Sequence, residues 1–126
     1  MKRSVFFLIA AVLFAAFGAL MFFAPQVAAQ AFALTASTGT DALFRILGAT
    51  LLALGVMNFL VRNHPASETL KAVLWTDVAT HGLGTIADFW SVAAGSLAFS
   101  SVVAGLVVHL VVGLGALVYV LRMKAA

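Results

Sequence analysis

The chain has 126 residues, of which 64% are hydrophobic and only 9% charged, and its mean hydropathy is +1.17. Soluble domains carry about 45–50% apolar and about 25% charged residues, and so short a chain has too little interior to hide this excess from water. There is no cysteine, which excludes disulfides, thiolate metal sites and the quinone-linked disulfide-forming enzymes of this size, while the net charge of +3 comes from basic residues at segment ends rather than from a nucleic-acid footprint.

Lipid is therefore the expected solvent. Four stretches approach the roughly 20 residues needed to cross a bilayer, over residues 4–24, 41–61, 68–89 and 101–121. Backbone groups inside lipid must be satisfied within the segment, so each stretch is predicted to be a helix. The expected fold is all-α, an integral membrane four-helix bundle with short loops, forming one transmembrane domain over residues 1–126.

The first predicted helix has no charged or strongly polar side chain over residues 5–24 and is rich in phenylalanine, from Phe6 and Phe7 to Phe22 and Phe23. Such a helix suits lipid on its faces and a structural role, and Pro25 ends it. Lys2, Arg3, the apolar run and Val27-Ala28-Ala29 together resemble a cleavable secretion signal. The run is longer than a typical signal core, which favours an uncleaved helix. Residues 26–34 form an amphipathic stretch suited to the membrane surface.

The second helix is expected to start at Asp41 with Thr40 as its N-cap. Asp41 and Arg45 lie one turn apart, and Arg45 falls roughly 6 Å below the helix start. That depth matches Asp88, so a packing ion pair between Arg45 and Asp88 is expected ahead of anion binding. Gly48 and Gly55 share one face and suit close helix packing. Asn58, near the other end, either bonds across helices or snorkels.

Arg62-Asn63-His64-Pro65 breaks the chain, with His64 solvated. Either Pro65 as first residue or Ser67 as cap can open the third helix. In that helix Asp77, His81, Gly84 and Asp88 are spaced four, three and four apart, which puts them on one narrow face. An ionised group at mid-membrane costs about 2.5–3.5 kcal/mol, so this face must meet other helices or water. It reads as a hydrogen-bonded packing seam or as a proton or ligand path. Asp77 and His81 are close enough in sequence to share a proton, in which case they titrate as a pair.

Residues 91–100 join the third helix to the fourth, where Gly105 and Gly113 flank His109 at four-residue spacing. The depths of His81 and His109 agree, and the glycines let a neighbour approach, so the two imidazoles can face each other. Facing histidines would suit a b-type haem or a metal, or each would bond a carbonyl, a hydroxyl or Asp77.

Lys2, Arg3, Arg62, Lys71, Arg122 and Lys124 fall on one side of a four-crossing topology, and only Arg45 on the other. The positive-inside rule then puts both termini in the cytoplasm, in a bacterial-type inner membrane. Trp90 and Tyr119 suit interfacial anchors.

The run Arg45-Ile46-Leu47-Gly48-Ala49-Thr50-Leu51-Leu52-Ala53-Leu54-Gly55, closing at Arg62, with an echo at His109, resembles small uncharacterised bacterial membrane proteins with four predicted helices. That resemblance implies the fold and no activity. Small multidrug transporters, fluoride channels and membrane glutathione transferases lack their motifs here. No P-loop, dinucleotide fingerprint, metalloprotease motif or nucleophile elbow occurs, so little catalysis is expected. Three classes remain: an accessory subunit or homo-oligomeric membrane component, a haem or metal protein using His81 and His109, and a proton-linked transporter or channel using Asp77, His81 and Asp88. The expected partners are the lipid bilayer and either further copies or a larger membrane complex, with no nucleic acid.

Overall fold

The computed structural model describes residues 1–123, so Lys124, counted above among the basic residues of one side, lies outside them. Among the described residues there are five α-helices, which account for most of them, and no strand. They are α1 (Arg3–Phe23), α2 (Pro25–Ala31), α3 (Thr38–Val61), α4 (Glu68–Ala93) and α5 (Phe99–Arg122). The chain divides into two compact units, Met1–Arg62 and Asn63–Ala126. Three helices, α1, α3 and α5, are long and apolar enough to cross a membrane. α4 is as long, about 39 Å at 1.5 Å per residue, but Thr76, Asp77, His81, Thr85 and Asp88 dilute its apolar character.

In the first unit α1 and α3 run antiparallel and cross with their backbones nearly touching. A Cβ built on Gly48 would lie 2.7 Å from Gly18 O and 2.6 Å from Phe22 N. One built on Gly18 would lie 2.8 Å from Leu52 N. About two turns further on, Gly55 meets Ala11 O at 3.1 Å and Ala15 N at 3.3 Å. Small residues on both helices thus allow a backbone approach that any larger side chain would prevent, which is how helices gain dispersion contacts where lipid removes the hydrophobic drive. α1 is not uniformly lipid-facing as its composition suggests. Phe6, Phe7, Ala10, Ala11, Phe14, Gly18 and Met21 form a buried stripe, while Val5, Leu8, Ile9 and Val12 are exposed.

The segment expected to lie on the membrane surface forms α2, with Pro25 at its first turn, where a missing N–H costs nothing. Ala28 and Ala29 are buried in a cluster with Met21 and Phe44, and Phe32 stacks on Phe44 with ring centroids 5.8 Å apart. α2 ends in a Schellman motif: Ala33 N–H donates to Gln30 O and Leu34 N–H to Ala29 O, both at 2.9 Å. The left-handed position is Ala33, at φ 56°, where glycine is the usual occupant.

α3 begins three residues earlier than expected, and its cap is Ser37, not Thr40. Ser37 Oγ accepts from Thr40 N–H, and the Thr40 hydroxyl lies 2.7 Å from Ser37 N–H, a reciprocal capping box with threonine in place of the usual glutamate. Asp41, in the first turn, accepts a bond from Gln26 Nε2 at 3.1 Å, tying α2 to α3. Asn58 is buried rather than snorkelling, and its amide donates to Leu54 O. At the far end Arg62 lies over the ring of Phe59, 3.7 Å from its centroid, a cation at a helix C-terminus.

In the second unit Ser67, not Pro65, caps α4 by accepting from Leu70 N–H. α4 continues to Ala93 and stops at a Schellman motif built on Gly95, whose φ of 71° needs no side chain. Gly95 N–H donates to Val92 O and Ser96 N–H to Ser91 O. This shortens the expected connection to residues 94–98 before α5 starts at Phe99.

Candidate functional site

The buried face of α4 starts apolar and turns polar. Leu70, Leu74, Asp77 and His81 are all buried, at spacings of four, three and four. The same stripe continues through Gly84 to Asp88, which is partly buried. Asp77 is fully enclosed and His81 is 2% exposed. The side of α5 that packs on this stripe holds Val102, Leu106, Val112, Ala116 and Val120, with His109 at its middle.

Glycine on one helix and a polar side chain on the other alternate along the α4–α5 contact. A Cβ on Gly84 would lie 2.6 Å from His109 Nε2, one on Gly113 2.9 Å from His81 Cβ, and one on Gly105 3.6 Å from Asp88 Oδ2. Each polar group therefore lies against a glycine of the opposite helix, and the pairings show that the two helices are antiparallel. The expected role of Gly105 and Gly113 in admitting a neighbour is met by Asp88 and His81.

His81 and His109 face each other at one level, as their predicted depths require. Their Nδ1 atoms are 2.9 Å apart, with ring centroids 5.2 Å apart and planes inclined at 58°. One ring donates and the other accepts. Asp88 Oδ2 lies 3.8 Å from His109 Nε2, within ion-pair range and beyond hydrogen-bond length. With Asp88 as the carboxylate, the N–H of His109 belongs on Nε2, facing the negative oxygen. Nδ1 of His109 is then the acceptor, and His81 donates its Nδ1–H. The result is a carboxylate–imidazole–imidazole series along the helix pair, with Asp77 one turn before His81 on the same stripe.

Asp88 thus has the Nε2 side of His109 as its neighbour inside the second unit. Arg45 belongs to the first unit, is exposed, and lies one turn from Asp41. His64 is exposed in the segment before α4. Two residues not singled out from the sequence join the site. Thr85 donates its hydroxyl to His81 O at 2.9 Å, and its position four residues after His81 is the available signal. Gly82 lines a groove of about 250 Å³ that runs between α4 and α5, with Val78, Thr85, Leu110 and Leu114 in its walls and both histidines on its floor.

The donor set has definite limits as a cofactor site. The two axial histidines of a haem hold nitrogens roughly 4 Å apart across the porphyrin, twice a metal–imidazole bond of about 2.0 Å. The facing Nδ1 atoms are 2.9 Å apart, which leaves no room for the macrocycle between the rings. A metal bound by both Nδ1 atoms at such bond lengths would see them at about 90°, well short of tetrahedral. Asp88 lies on the far side of the His109 ring and cannot complete that set. Among the described residues no group of three or more His, Asp or Glu side chains is arranged to hold a metal.

Comparison of the chain with protein-family models, with curated proteins and with solved structures finds no match in any of the three. The functional reading therefore rests on the geometry of this helix pair.

Proposed function

We propose that this chain is a membrane protein that moves protons along the α4–α5 pair, as a proton-linked transporter or a channel component. The observation that carries the reading is the direct Nδ1–Nδ1 contact of His81 and His109 at 2.9 Å, continued by Asp88 on the other nitrogen of His109. Imidazole is suited to a relay because it accepts a proton at one nitrogen and releases it from the other. Ionisable side chains are costly at membrane depth and there mark proton or ion paths. Asp77, enclosed one turn from His81, extends the series along α4.

This reading takes α4 as a fourth crossing beside α1, α3 and α5. Its low hydropathy then reflects in part the relay, since His81 and Asp88 lie on the side packed against α5. The termini would lie in the cytoplasm of a bacterial-type cell, on the side richer in lysine and arginine. A chain of 126 residues is short for enclosing a water-filled path, so we place the relay in a homo-oligomer or a larger membrane assembly. An accessory role fits the first unit better, because the α1–α3 crossing is a backbone contact between small residues and holds no ionisable group.

The test is proton flux into proteoliposomes under an imposed potential, followed with an entrapped pH dye. His109→Gln and Asp88→Asn are expected to lower flux at least tenfold while the protein keeps its helix content. Flux equal to that of the unaltered protein in both variants would remove the relay.

A further inference from the structure

The α4–α5 contact is polar towards one end and apolar at the other. Beyond Asp88, toward the 94–98 connection, the next level holds Ser91 and Ser101, both half-buried. Trp90, largely exposed, lies only about 3 Å further along the axis than Asp88, and exposed tryptophan is characteristic of the membrane–water interface. Asp88 keeps 18% of its side-chain surface exposed, while Oδ2 is enclosed on the side of His109, so Oδ1 is the oxygen that water can reach.

The opposite end is closed. His81 lies against Gly113, and antiparallel steps of three or four residues carry both helices on together from that contact. The next two levels are therefore Asp77 with Ala116 and Leu74 with Val120. Leu70, Leu74, Ala116 and Val120 are each at most 2% exposed. Asp77 is thus the last ionisable group of the stripe, and about 9 Å of helix separate it from Lys71, where α4 becomes charged again. Thr76 falls in this interval but is exposed, and its hydroxyl donates to Ala72 O. A proton does not cross such a span without a hydrogen-bonded carrier, and dry apolar constrictions are a known form of gate.

We propose that Leu74 and Val120 form a gate, an apolar plug that shuts the relay at the Lys71 end while Asp88 holds it in exchange with water at the other. The proposal rests on the relay reading and deepens it, because a plugged relay suits a proton-linked transporter rather than an open channel. The histidine pair exchanges protons through Asp88, and passes them to the Lys71 end only when α4 and α5 part at the plug.

The experiment is proton flux of the full chain in proteoliposomes. Leu74→Ser leaves a space with a hydroxyl in it, which a water can occupy. Val120→Thr replaces one methyl by a hydroxyl at nearly unchanged size. Flux is expected to rise at least tenfold in the first and at least threefold in the second, and adding His109→Gln to either should abolish the gain. Val102→Thr makes the same change at a buried position beyond Asp88, outside relay and plug, and should leave flux within twofold of the unaltered protein. Unchanged flux in both plug variants, at retained helix content, overturns the gate. So does a gain that survives His109→Gln or that Val102→Thr matches, since either means a general loosening of the helix pair. A tenfold loss in Tyr119→Phe, which removes a half-buried hydroxyl near the level of the plug, would route the proton round Leu74 and overturn the gate as well. Flux that depends on His109 but ignores the plug variants rejects the gate and keeps the relay. Flux that ignores His109 throughout rejects the relay itself, so the two failures are distinct.

Discussion

The imidazole of His109 fills the space that a side chain at residue 84 would need: a Cβ there would lie 2.6 Å from both Nε2 and Cε1 of the ring. Gly84 is therefore the socket that sets the height and tilt at which His109 meets His81.

Gly84→Ala is expected to displace His109 and break its contact with His81. Overpacking of this kind costs about 1–3 kcal/mol. Gly82→Ala, two residues away and facing open space, removes a helix-interior glycine and should stabilise by about 0.5–1 kcal/mol. Denaturant titration in micelles, followed by circular dichroism, measures both. Equal and opposite signs are not required, but a Gly84→Ala protein as stable as Gly82→Ala would show that the socket is slack.

The order of protons in the histidine pair is open to direct observation. Asp88 draws the N–H of His109 to Nε2, so Nδ1 of His81 should carry hydrogen and Nδ1 of His109 should not. Nitrogen NMR of the histidine-labelled protein near neutral pH distinguishes the two kinds of ring nitrogen. Asp88→Asn removes the charge that fixes this order and should leave a mixture of tautomers.

The α1–α3 crossing makes a prediction independent of the site. Gly48→Ala puts a methyl 2.6 Å from Phe22 N and 2.7 Å from Gly18 O, both backbone atoms that cannot rotate away. The helices must separate, at a cost of about 3 kcal/mol, the upper end of ordinary overpacking. Gly55→Ala meets Ala11 O at 3.1 Å, so a smaller loss is expected. Stability of the two variants in the same titration ranks them.

The two Schellman ends predict opposite responses to complementary changes. Ala33 occupies the left-handed region that costs a residue with a Cβ roughly 1–2 kcal/mol, so Ala33→Gly should stabilise by about 1 kcal/mol. Gly95 occupies the same region, and Gly95→Ala should destabilise by about 1 kcal/mol. The midpoints of thermal unfolding should move in opposite directions.

Much of the site was legible in the sequence because helical periodicity is a strong constraint. The spacing of Asp77, His81, Gly84 and Asp88 defines one face, and matching depths bring His81 to His109. The nearness of Asp88 to His109 was not legible, because the seven residues between His81 and Asp88 put the carboxylate well above the histidine level, and the reach of the two side chains toward each other past Gly84 and Gly105 is a matter of side-chain geometry that spacing does not give. Helix starts were misjudged where several caps compete: Ser37, Thr38 and Thr40 all carry a hydroxyl, and the capping box forms only with Ser37 at its head. α2 was missed as a helix because seven residues give too little periodicity to separate it from a surface stretch.

The alternation of glycine and polar residue across α4 and α5 also constrains how this chain can vary. Gly84 is required only while residue 109 is large, whereas Gly113 meets the Cβ of residue 81, which every residue but glycine carries. Natural variants should therefore change His109 and Gly84 as a couple, while residue 113 should stay glycine whatever side chain stands at 81.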